Sequence, residues 1–198
     1  MENLGENTMK KLIKVLTTTQ IEALLSGTWG RSQDRDRHML IFLLNTGLKI
    51  NEFVSLNVGD VYTGKRVKKM IHIPGSEDTA PRKVPMNRQA RESIAMILDY
   101  NRTQGLELKD DEPFLISRQR NQKDNSYRIT PRQVQRIVKS LREDASLGFK
   151  TTPQTLRHTF AKTVLEGGAN MEQLQKLLGH RSIKTTRDLY GEQGQALR

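Results

Sequence analysis

Three side chains towards the C-terminus, Arg157, His180 and Tyr190, are of the types that phosphoryl transfer requires. An arginine offers a planar, permanently charged fork that matches the oxygens of a phosphate. A tyrosine hydroxyl can attack phosphorus and hold it covalently without any metal or cofactor. A histidine can donate to a phosphate oxygen or carry a proton near neutral pH. Each residue also has an ordinary structural reading. A tyrosine on a C-terminal amphipathic helix packs a core, an arginine pairs at the surface, and a histidine after a glycine fills a turn. Other chemistries find no residues to carry them. There is no glycine-rich phosphate loop, and the four histidines (His38, His72, His158, His180) show no metal-ligand spacing. No metal and no cofactor is expected.

The local sequence places these side chains on consecutive helices. Thr152 and Pro153 read as the N-cap and first position of a helix over 153–167, which sets Arg157 and His158 near its positive end, where an anion is welcome. Gly179 stops the next helix, expected over 170–178. His180 lies in the turn, and Ser182 can cap a last helix around 183–190 that carries Tyr190. Upstream, Thr17-Thr18-Thr19 offers a cap for a first helix ending near Gly27. Ser32 can cap a second, with Met39, Leu40, Phe42 and Leu43 on its apolar face and Gly47 at its end. A short helix carrying Ile50, Phe53, Val54 and Leu56 follows. Residues 68–73 and 83–86 are short and β-like, and the turn residues Gly75, Ser76, Asp78 and Pro81 between them predict a hairpin. Further helices are expected over 87–104 and 131–145. The fold class is therefore mainly α with a small antiparallel sheet (α+β). Residues 1–16 read as a loose arm or strand leading into one continuous domain over 17–198.

Composition narrows the partners. Lys and Arg total 33 against 22 Asp and Glu, a formal charge of +11, which favours a polyanion such as nucleic acid. Cysteine is absent, which removes disulfides and thiolate chemistry and suits a reducing, cytoplasmic setting. No apolar run approaches the roughly 18 residues of a membrane span, so no membrane partner is expected. With aromatics at 5%, there is no stacking platform for single strands.

Three blocks, in order, carry a resemblance. They are Asn45-Thr46-Gly47-Leu48-Lys49-Ile50-Asn51-Glu52-Phe53, Thr152-Pro153-Gln154-Thr155-Leu156-Arg157-His158-Thr159-Phe160-Ala161, and Leu177-Leu178-Gly179-His180-Arg181-Ser182-Ile183 through to Tyr190. With the hairpin between the first two, the chain from about 15 to 190 resembles the catalytic domain of the tyrosine recombinase (phage integrase) family. The resemblance implies that family's fold and a site-specific recombinase that cuts and rejoins double-stranded DNA. Tyr190 would form a 3′-phosphotyrosyl link, with Arg157, His180, Lys49 and Gln154 around the phosphate. It also implies self-association on DNA and, in a short member, no separate N-terminal core-binding domain.

The chain departs from the family at three of the positions so matched. Lys49 stands where the family has its first arginine, keeping the charge but losing the fork. Gln154 stands at a histidine position, and an amide can donate a hydrogen bond but cannot carry a proton. The hairpin lysine that in the family protonates the leaving oxygen would fall near Ala80, with Arg82 or Lys83 as its alternative substitutes. The alternative reading is thus a DNA-binding relative with impaired catalysis, acting as a regulator or partner subunit. Lys68, Lys69, Arg82, Lys83, His158 and Arg181 are expected at the DNA backbone. The hairpin cations also read as a solvated edge and His158 as a packing residue. Arg118, Arg120, Lys123 and Arg128 read as an exposed basic loop.

Overall fold

The computed structural model describes residues 13–27, 33–120 and 126–195, and Ser32, Trp29 and Lys123 lie outside them. Helix α1 (Thr18–Ser26) is capped by Thr17, which accepts from the Gln20 N–H while Gln20 reaches back to the Thr17 N–H. Helix α2 (Gln33–Thr46) buries Met39, Leu40, Phe42 and Leu43 along its packing faces with α5 (Arg88–Thr103) and α7 (Pro153–Glu166). Helix α3 (Ile50–Ser55) follows, and then α4 (Val58–Val61), a single turn that its brevity hid in the sequence. Rings of Phe42, Phe53 and Phe114 meet at 5.6, 5.6 and 6.4 Å, and join α2 and α3 to the segment after α5. Helix α6 (Pro131–Asp144) closes this main core with Val134 and Val138.

The hairpin consists of β1 (Met70–Ile73) and β2 (Arg82–Pro85), antiparallel, with Met70 opposite Pro85 and Ile73 opposite Arg82. Ile71, Ile73 and Val84 point into the core, and the alternate residues face out. The fold class is as the sequence indicates, mostly helical with a two-stranded sheet.

A second, smaller core is made by the last three helices, α7, α8 (Met171–Leu178) and α9 (Ile183–Gln195). Phe160, Ala161, Leu165, Leu174, Leu178 and Tyr190 fill it. Two expectations need correction. The end of the N-terminal arm is packed rather than loose, because Leu16 is buried and its N–H donates to Thr159 Oγ1 at 3.0 Å; residues 1–12 lie outside the described residues. Arg128 is turned inward rather than exposed, donating to the carbonyls of Val54 and Leu56 at 3.0 Å each and so tying its loop to the end of α3. Among the described residues, no helix is long and apolar enough to cross a membrane.

Candidate active site

Helix α7 is built to present Arg157. Thr152 caps it, accepting from Thr155 N–H, and Pro153 occupies its first position. One turn on, the Arg157 side chain runs inward and is only 2% exposed. Its Nη1 donates to Gly47 O at 2.6 Å and its Nη2 to Leu178 O at 2.8 Å, with His180 Nε2 at 3.5 Å from the same nitrogen. Burial pulls its pKa down to about 10, while the Glu52 charge nearby works the other way. Among the described residues no carboxylate comes within ion-pair distance of it. A buried guanidinium whose hydrogen bonds go to carbonyls, with no carboxylate in direct contact, is a setting that favours an incoming anion.

Glycines on both sides let this happen. Gly47 has φ 60, and a Cβ there would lie 2.2 Å from Phe160 Cδ1. Gly179 has φ 73 and ends α8 in the left-handed region, with Arg82 packed so close that a Cβ would meet its Nη1 at 2.8 Å. The turn after Gly179 carries His180, whose Nδ1 lies 2.9 Å from Thr186 Oγ1. Burial, then the positive charge of Arg157, pushes the His180 pKa down to about 4, so the ring is neutral at physiological pH.

Tyr190 stands on α9 with its ring 1% exposed in the small core. Its hydroxyl lies 2.7 Å from His158 Nδ1, and the two rings meet edge-on at 5.7 Å. Burial raises the Tyr190 pKa to about 12, opposed by Arg157. Burial, then Arg157, lowers His158 to about 4. On the far side of His158, its Nε2 faces Gln154 Nε2 at 3.3 Å, one turn back along α7, where Gln154 is exposed. His158, expected at the DNA backbone or as a packing residue, has its ring engaged with the tyrosine.

The hairpin loop closes over the other side. Ala80 N–H donates to Gly179 O at 3.0 Å, Thr79 bridges to His180, and Arg181 Nη2 donates to Ser76 O at 2.7 Å. Lys49, half-buried at the start of α3, lines a cleft with Gly75, Ser76 and Thr79, and its charge is felt at His180. Lys83 is exposed and lines a separate depression with His180 and Arg181. Lys68 and Lys69 line a separate basic depression with Arg66, Arg88 and Arg91. Arg82, expected at the DNA backbone, is instead turned inward. Both its terminal nitrogens lie 2.7 Å from the Glu52 carboxylate, and its Nε donates to Leu177 O at 2.9 Å. Its charge is already paired, so it serves the frame of the site. Glu52 itself escaped the sequence reading; the signal was its place three residues after Lys49, whose N–H it accepts at 2.8 Å in the manner of a capping box.

Comparison with known proteins decides the family. The model of the phage integrase family matches residues 14–195. The chain belongs to the phage integrase family. Among curated relatives it is 31% identical over 185 residues to tyrosine recombinase XerA of Pyrococcus furiosus, covering 93% of this chain and 55% of that protein. It is 32% identical over 189 residues to tyrosine recombinase XerC of Herpetosiphon aurantiacus, covering 93% and 58%. The chain therefore spans little more than half the length of these relatives. In three dimensions it is similar to XerA recombinase, with a TM-score of 0.72 at 24% identity over 90% of this chain and 60% of the other. It is also similar to XerH site-specific recombinase, solved bound to palindromic difH substrate, with a TM-score of 0.72 at 21% identity over 98% and 54%. These likenesses establish the family's catalytic-domain fold for the chain.

Proposed function

We propose that this chain is the strand-transferring domain of a site-specific tyrosine recombinase, cutting and rejoining double-stranded DNA through Tyr190. One observation carries the reading: the Arg157 fork reaches to within 3.5 Å of His180 Nε2, and the Tyr190 hydroxyl lies 2.7 Å from His158, the residue that follows Arg157 on α7. In the forward step the Tyr190 Oη–phosphorus bond forms and the bond from phosphorus to the 5′-oxygen breaks. The phenolic proton leaves the tyrosine, and the departing 5′-oxygen gains one. Energy is conserved in the phosphotyrosyl link, so a 5′-hydroxyl from the same or a partner duplex reverses the step and reseals the strand. Arg157 holds non-bridging oxygens as charge builds on them, His180 donates from the turn, and Lys49 and Gln154 add a point charge and an amide donor. Because Tyr190 is buried, α9 shifts to admit the phosphate.

The partner that fits is duplex DNA. The net charge of +11 attracts it, and Lys83 and Arg181 stand exposed beside His180. Exchange between two duplexes requires more than one nucleophile, so the protein acts as a self-associated assembly on DNA. The cytoplasm is the compartment that holds such a substrate, and 17–198 is read as a single domain.

Covalent trapping tests the proposal. The protein is incubated with nicked duplexes drawn from DNA flanking its own gene, beside Tyr190→Phe, with a native gel to score binding. An adduct on a denaturing gel that disappears in Tyr190→Phe is the expected result. Binding to a defined site with no adduct would overturn strand transfer in favour of a DNA-binding role.

A further inference from the structure

The amide of Gln154 cannot take a proton, so the phenolic proton of Tyr190 has no acceptor at that position. Another group is in place. His158 Nδ1 stands 2.7 Å from the Tyr190 hydroxyl, inside the range required of a general base, and the ring is half-buried with its other nitrogen turned to the exposed Gln154. We propose that His158 is the proton acceptor for Tyr190 and that Gln154 selects the tautomer in which it can act. The inference rests on the strand-transfer reading above and assigns the one proton that reading leaves without a destination.

The tautomer argument follows from the two ends of the imidazole. With the amide nitrogen of Gln154 facing Nε2, as found at 3.3 Å, the ring proton belongs on Nδ1, and the ring donates to the tyrosine oxygen. A half-turn of the amide presents its oxygen to Nε2. The ring proton then belongs there, and Nδ1 is bare to accept from Tyr190. Gln154 is free to turn because it is exposed.

The surrounding charges make the base conditional on substrate. Arg157 on the same helix, His180 from the turn after α8 and Tyr190 from α9 are the titratable groups around His158. Burial and Arg157 keep its pKa near 4 in the free protein. A phosphate seated on Arg157 offsets that positive charge and strengthens the base when it is needed. In the step itself, the Tyr190 Oη–phosphorus bond forms as the phenolic proton passes to Nδ1. The bond to the 5′-oxygen breaks, and that oxygen takes its proton from water. The reverse step returns the proton from Nδ1 to the departing phenolate.

The test uses the full chain and a nicked duplex that gives an adduct with the wild type, and follows the rate of adduct formation against pH. His158→Gln is expected to slow it about 100-fold or more near neutral pH, with DNA binding on native gels and the melting temperature retained. Its rate should still climb with pH where the wild type is flat. In His158→Ala, added imidazole should restore part of the rate. The same loss should persist on a duplex whose scissile 5′-oxygen is replaced by sulfur, a leaving group that needs no acid. A wild-type rate in His158→Gln overturns the assignment. So does a loss independent of pH and unmoved by imidazole, which would make His158 a positioning residue only, and so does a defect that vanishes on the sulfur duplex. Absence of any wild-type adduct overturns the strand-transfer reading itself, and this inference with it.

Discussion

Arg82 grips Glu52 through both terminal nitrogens at 2.7 Å, with side chains only 4% and 12% exposed. The pair joins β2 to α3, and Arg82 goes on to Leu177 O at the end of α8. One fork therefore fixes the three elements that frame Arg157 and His180. Burial pushes the Glu52 carboxyl up, but the Arg82 fork and the Lys49 N–H outweigh it and hold the pKa below the ordinary 4.5. Because the folded state lowers this pKa, the pair's stabilisation is complete above about pH 4.5 and is lost as pH falls below it.

Removing one partner leaves the other charge buried and alone. Glu52→Gln is expected to lower unfolding stability by about 3 kcal/mol, read as a shift of the urea midpoint with an unchanged slope. The double change Glu52→Leu with Arg82→Met should lose less than Glu52→Leu alone. A double variant that loses the sum of the two singles would show that the residues act independently.

Much of this frame was legible in the sequence and some was not. Caps and stops are local chemistry, so Thr17, Thr152-Pro153 and Gly179 marked helix ends that the structure bears out. The hairpin showed because two short β-like runs flank the turn residues Gly75, Ser76, Asp78 and Pro81. What stayed hidden depends on where a long side chain turns. Arg82 and Arg128 look like surface cations in sequence, yet each runs inward to a carboxylate or to carbonyls far along the chain. The contact of His158 with Tyr190 spans 32 positions and has no local signal.

Gly179 meets two demands at once, a φ of 73 and contact with Arg82. Gly179→Ala is therefore expected to cost more than the roughly 1–2 kcal/mol of left-handed backbone strain alone. It should also weaken DNA binding, because the displaced turn carries His180. A midpoint shift below that strain figure would mean that Arg82 yields without loss.

The two site histidines set an acid limit. Both His158 and His180 are held near 4 by burial and then by Arg157, against an ordinary 6.5. Between these values the unfolded chain binds protons that the folded chain refuses, so stability falls as pH drops from about 6.5 to about 4 and is insensitive to them above that window. Urea midpoints across this range should show the slope, and His158→Gln should reduce it. Ring proton shifts should stay at their neutral positions down to about pH 5. Titration of both rings near 6.5 would contradict the burial argument. Adding duplex DNA should move the transition upward, since phosphate offsets Arg157.

Lys49 keeps the charge of an arginine without its fork. Lys49→Arg is expected to raise the rate of adduct formation by roughly 10-fold or more, consistent with one added charge-assisted bond to a phosphate oxygen in the transition state. Equilibrium binding to the same duplex should change far less, because both side chains carry one positive charge. A variant that binds more tightly but reacts no faster would place position 49 on the ground state only.

On the proposed strand-transfer reading, the leaving-group acid belongs near Ala80. Its backbone is stitched to the site, with its N–H on Gly179 O at 3.0 Å and Thr79 bridged to His180, so a lysine there would issue from a fixed point beside His180. Ala80→Lys is expected to accelerate adduct formation on an ordinary nicked duplex by about 100-fold. On the duplex with a bridging 5′-sulfur, where the leaving thiolate needs no proton, wild type and Ala80→Lys should react alike. Equal acceleration on both duplexes would mean that the added lysine acts as a phosphate-binding charge and not as an acid. Acceleration on the oxygen duplex alone would identify proton delivery to the 5′-oxygen as the step that limits this chain.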